Sequence, residues 1–191
     1  GLKVERTERF PKYEPGLKTG KHFIENTYLR VEVNAKGELG VTDKAHGQIY
    51  RRLNVFEDSG DVGDEYNYSY PARDKWIFSN TGKAKLALVE KGPLRASLQS
   101  TMMMMVPSSA TADRTSRSKA TVRVPVTTTV YLTPYSRAVE IETTVENRAH
   151  DHRLRVLFPS GIDTDRNYAD SQFCTVERRQ QEIQAQAGQA P

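Results

Sequence analysis

The chain has 191 residues and a mass of 21.6 kDa, the size of one ordinary domain or of a piece of a larger enzyme. Its 28 Lys and Arg against 24 Asp and Glu leave a net charge of +4 and a pI near 9.1; the basic residues are scattered, so a nucleic-acid partner is not expected. There is no apolar run of about 18 residues and no signal-peptide core, and the sequence reads as soluble and cytoplasmic, with no membrane partner.

Residues 1–20 read as a polar leader. From His22 to Asn34 the residues Leu29, Val31 and Val33 alternate with Arg30, Glu32 and Asn34, the period of a half-buried strand. Asn34 to Gly37 is a turn, and strands over Glu38–Asp43 and Gly47–Val55 flank Lys44 to Gly47, a hairpin with glycine where positive φ is easy. Glu57 to Arg73 then reads as an acidic loop. Strands follow over Lys83–Val89 and Leu94–Met105, around a turn at Glu90 to Pro93. Pro107 to Ala120 is a Ser/Thr/Arg linker. Val122–Leu132, rich in β-branched residues, and Val139–Val145, which alternates, are strands. Leu154–Phe158 and Ser171–Val176 add two more, around a polar loop from Gly161.

About ten strands, with turns every 8–12 residues and no helical period, predict an all-β antiparallel sandwich, here incomplete. It is expected to span residues 21–178, followed by a polar tail, 179–191, of helix-forming composition without an apolar stripe. The hydrophobic fraction, 37%, is low for a domain with a self-sufficient core. A core completed by further chain would account for it.

Five carboxylates and three tyrosines share the fifteen residues Glu57 to Pro71. Carboxylates three apart on a glycine-hinged loop could wrap calcium, and tyrosines beside carboxylates suit sugars, ring faces meeting C–H surfaces and oxygens meeting hydroxyls. Asp64 and Glu65 are adjacent and would point apart in an extended chain, which does not suit a glycosidase acid/base pair at roughly 5–9.5 Å. His150 and His152 would share one side of an extended chain, but no third metal ligand is near and arginines surround them; hydrogen-bonded histidines in a surface turn are expected. Met102 to Met105 should place two methionines on each face of a strand as packing. The lone Cys174 excludes an internal disulfide and a Cys-based zinc site, and is expected to be a small buried hydrophobe. No Gly-x-Ser-x-Gly elbow, phosphate-cradling glycine loop or His-Glu-x-x-His is present. The residues alone supply no complete catalytic set.

Three stretches together resemble a known family: Phe23 to Asn34 with Gly37 and Val41 to Lys44; Glu57 to Ser69; and Asp151 to Pro159 with Thr164-Asp165 and Ala169 to Phe173. They are similar to the β-sandwich region of glycoside hydrolase family 38, most of all in bacterial α-mannosidases and mannosylglycerate hydrolases, in order over Lys21 to Arg178. The resemblance implies a β domain related to the galactose-mutarotase supersandwich, lying downstream of a catalytic α/β barrel and a helical bundle. It implies a retaining mechanism with a nucleophile, an acid/base and a zinc ion whose ligands all lie upstream. No catalytic residue and no metal ligand is therefore expected in this chain. Its implied role is the far wall of the mannoside pocket. Tyr66 of Gly63-Asp64-Glu65-Tyr66 would approach the sugar, with Asp64 and Glu65 beside it, and an arginine after Phe173 would fall on Arg178 or Arg179. The rival expectation is a self-standing carbohydrate-binding or calcium-dependent module using the same loop.

Overall fold

Two twelve-residue strands organise the molecule. In the computed structural model, which describes residues 16–179, β9 (Ala96–Pro107) and β10 (Thr121–Leu132) pair antiparallel along their whole length. At about 3.3 Å per residue each spans close to 40 Å. Their even-numbered residues share one face: Leu98 stands opposite Val130, Met102 opposite Val126 and Met104 opposite Val124, all buried. Met103 and Met105 lie on the other face, about half exposed, so the methionine run divides two and two as its period requires.

β8 (Lys85–Lys91) and β11 (Glu140–Val145) flank this pair, in the order β11-β10-β9-β8. Two sheets of shorter strands share its buried face. The first contains β1 (Lys18–Gly20), β2 (Phe23–Glu25), β3 (Leu29–Val33), β4 (Leu39–Asp43) and β5 (Gln48–Leu53), paired in chain order. Its Ile24, Val31 and Leu39 close over Ala96, Leu98, Val130 and Leu132. The second is β12-β6-β7, made of β6 (Val55–Gly60), β7 (Ile77–Phe78) and β12 (His152–Leu157). Its Phe56 joins Met102, Met104, Val124, Val126 and Ala149 in a second core. Between the cores the pair carries buried Ser100 and Thr128, opposite one another. The chain crosses from one short-stranded sheet to the other at that seam, at buried Asn54, which has φ +63° and donates from Nδ2 to Thr128 Oγ1 at 3.3 Å.

The architecture is thus the expected all-β sandwich, and several boundaries differ. The stretch read as one strand from His22 is two, split by Asn26, whose Oδ1 accepts the Tyr28 and Leu29 N–H groups while its Nδ2 reaches the Thr133 and Ser136 carbonyls. Residues 18–20 of the stretch read as leader form β1, and Leu17 before it is buried; residues 1–15 lie outside the described part. The stretch from Glu57 to Gly60 is strand, not loop, because distant basic groups neutralise its carboxylates. The polar loop from Gly161 contains β13 (Arg166–Ser171), which pairs only with β14 (Cys174–Arg179), ion pairs and a Tyr168–Glu177 hydrogen bond replacing apolar alternation. Cys174, expected to be buried, is exposed in that hairpin. The tail beyond Arg179 lies outside the described residues.

Candidate sugar-facing loop

β6 ends at Gly60, and the chain leaves the sheet as a braced loop. The brace begins with a buried ionic group. Asp58 is fully buried; one carboxylate oxygen pairs with the Arg117 guanidinium, and the other lies 2.5 Å from His152 Nδ1. Arg117 also donates to the Lys75 carbonyl at 2.8 Å, and His152 Nε2 lies 3.0 Å from Asn147 Oδ1. Beside it, Glu57 accepts Nε of Arg155 at 2.9 Å. This corrects the surface placement of His152: it is hydrogen-bonded, but inside the fold, whereas His150 is exposed. Asp151 between them has φ +50°, so the backbone there is not extended.

The loop proper is fixed by its own carboxylates. Asp61 Oδ1 accepts the Gly63 and Ser69 N–H groups at 3.0 and 3.2 Å, and Val62 N–H donates to the Ser69 carbonyl at 2.7 Å. Asp64 Oδ1 accepts the N–H groups of Tyr66 and Asn67 at 2.9 and 2.7 Å. These donors, Tyr66 first, hold the Asp64 carboxyl below the usual range. Gly63 is required by close approach: a Cβ there would stand 1.8 Å from the Asn67 carbonyl oxygen. Arg114 donates to the Val62 carbonyl at 2.8 Å, and the Arg153 guanidinium lies 4.5 Å above the Tyr68 ring.

The tip of the loop carries its most exposed aromatic side chain. Tyr66 is 85% exposed, and among the described residues its ring and hydroxyl make no hydrogen bond or ring contact. Glu65 is exposed beside it. The fold therefore keeps Asp64, Glu65 and Tyr66 together in one turn. Arg178 lies elsewhere, opposite Asn167 in the β13–β14 hairpin, which shares no ladder with the sheet that carries the loop. Of the carboxylates that the calcium reading counts, Asp58 is in the core, Asp61 and Asp64 each commit Oδ1 to backbone N–H groups, and among the described residues no three acidic or metal-ligating side chains gather as a cation site.

Zinc fits no better. Among the described residues no three His, Cys, Asp or Glu side chains gather as a metal site, and the ring nitrogens of the buried histidine already face Asp58 and Asn147. Sequence reasoning missed Arg117, which lies 59 residues from its buried partner inside a run that reads as linker. Its neighbours in sequence are serines and a lysine, and nothing local marks it.

The model of the glycosyl hydrolases family 38 C-terminal domain matches residues 24–187. The chain belongs to that family. A curated relative, "Putative mannosylglycerate hydrolase" of Halalkalibacterium halodurans, is 27% identical over 179 residues, covering 86% of this chain and 20% of the relative. An α-mannosidase from Enterococcus faecalis V583 superposes with a TM-score of 0.82 at 31% identity, over 87% of this chain and 21% of that one. A second Enterococcus faecalis structure, of a glycosyl hydrolase family 38 protein, gives the same identity and TM-score over 22% of its length. This family 38 domain thus spans about a fifth of the length of the relatives it matches. No helix among the described residues is long and apolar enough to cross a membrane.

Proposed function

We propose that this family 38 domain forms one wall of the sugar pocket in a larger retaining glycoside hydrolase of α-mannosidase or mannosylglycerate hydrolase type, and contributes no catalytic group. The observation that carries the reading is Tyr66: a largely exposed aromatic at the tip of a loop that the Asp61 and Asp64 carboxylates brace through backbone N–H groups. A phenol so placed offers a ring face to sugar C–H groups and one hydroxyl to a sugar oxygen, with little reorganisation on binding. Asp64 positions it, and Glu65 supplies a second acceptor for sugar hydroxyls. Arg178, opposite Asn167 in the separate hairpin, is a further proposed sugar contact. The nucleophile, the acid/base and the zinc ligands belong to parts of the enzyme outside this chain, because the buried acids here are consumed by Arg117, His152 and Arg155.

The test is kinetic, in the full-length enzyme. Tyr66→Ala is expected to lower kcat/KM for an aryl α-mannoside by about tenfold or more, the scale of a lost aromatic and hydrogen-bonding contact, with Tm little changed. Unchanged kinetics would remove Tyr66 from the pocket.

A further inference from the structure

The edge strand β5 carries an irregularity that the sugar-facing loop does not use. Its ladder with β4 slips: Val41 faces Tyr50 while Leu39 faces Leu53, so Arg51 and Arg52 together stand opposite Gly40. In a regular strand neighbouring side chains go to opposite faces, one of them toward the core. Here both arginines are exposed, Arg52 holds φ +55°, and both line the same two clefts. The larger cleft, about 590 Å³, is also bounded by His22, Glu32, Asn34 and Glu38.

Its carboxylates are already occupied. Glu32 accepts Arg30 at 2.9 Å, and Glu38 accepts Asn34 Nδ2 at 2.7 Å and Asn80 Nδ2 at 3.0 Å. Among the described residues neither the Arg51 nor the Arg52 guanidinium has a hydrogen bond or an ion pair. A bulge that re-aims a side chain and a non-glycine residue held in the left-handed region are costs that folds tend to concentrate at functional sites. Against the penalty of burial, and with the hydrogen bonds of Asn80 and Asn34, the nearby Arg52 charge helps hold the Glu38 carboxyl below the usual range. Yet neither bulge guanidinium is committed to a hydrogen bond, and two guanidiniums lining one cleft offer the N–H donors that match an oxyanion.

We propose that the β5 bulge is an oxyanion-binding site, separate from the sugar-facing loop, in which Arg51 and Arg52 clamp a small ligand bearing a carboxylate or a phosphate. The test is calorimetric titration of the full-length protein at low ionic strength with inorganic phosphate and, separately, with lactate; whichever binds distinguishes the two oxyanions. Expected is one saturable site whose affinity falls about tenfold in Arg51→Gln and in Arg52→Gln, the scale of one charge-assisted pair, and is unchanged in Arg123→Gln, an exposed arginine of β10. Arg52→Gly separates binding from folding, since glycine accepts positive φ: Tm should hold or rise while anion affinity falls about as in Arg52→Gln. No saturable heat with either anion, or isotherms that Arg51→Gln and Arg52→Gln leave unchanged, would overturn the proposal.

Discussion

Asp58 and Arg117 form the most completely buried ion pair among the described residues, with side chains 0% and 2% exposed, and they neutralise each other. Removing one partner strands the other in the core, which costs about 3–5 kcal/mol. Arg117→Met is therefore expected to lower stability by that amount in urea unfolding, although Arg117 lies in a run that reads as an exposed linker. A loss below about 1 kcal/mol would mean that His152 alone satisfies Asp58. Asp64 makes the opposite kind of prediction, because it is exposed and acts locally. Its pKa is depressed in the folded loop, chiefly by the Tyr66 N–H. The brace is thus complete above the ordinary aspartate value near 3.9 and is lost as pH falls through the lower folded value. In an NMR titration the Tyr66 and Asn67 amide shifts should move only below about pH 4; a midpoint above that would show that the carboxylate is not held by these donors.

At the scale of elements, the paired strands β9 and β10 separate core from surface by parity. Met104→Ala is expected to cost about 2–5 kcal/mol and its neighbour Met103→Ala less than about 0.5, a contrast that equilibrium unfolding of the two variants checks. This alternation was legible in the sequence, as were the strands at Leu39–Asp43 and Glu140–Val145 and the turn at Asn34 to Gly37. β6 was not. All six residues from Val55 to Gly60 are buried, so no alternation marks them, and Glu, Asp, Ser and Gly are poor strand formers. What permits the burial arrives from Arg117, His152 and Arg155, 59, 94 and 98 residues downstream. Of the candidate site, the Asp64-Glu65-Tyr66 turn was legible by resemblance to family 38, but its rigidity was not, since the Asp61 and Asp64 braces depend on where the chain turns. Gly63 belongs to the same element: Gly63→Ala should displace the turn and reproduce the Tyr66→Ala loss in kcat/KM, because an added Cβ would collide with the Asn67 carbonyl.

The whole molecule is two cores strung on one strand pair, with a polar seam between them at Asn54, Ser100 and Thr128. Ser100 Oγ and Asn54 Oδ1 find no partner there among the described residues, so the seam adds polar burial where the two cores meet. Around it the domain leaves β11 almost wholly exposed and the β13–β14 hairpin paired only with itself. Isolated two-stranded hairpins are marginal in water, and family 38 relatives have about four-fifths of their length outside the part matched here. These exposed elements fit the proposed role of a wall set against other parts of an enzyme, with Tyr66 proposed to face the sugar. The most direct measurement is turnover of an aryl α-mannoside by this chain alone, with zinc present, after circular dichroism has confirmed its strand content and a cooperative melt. The account predicts no hydrolysis above the uncatalysed background; zinc-dependent hydrolysis by the folded chain would contradict it and put the catalytic carboxylates within these 191 residues.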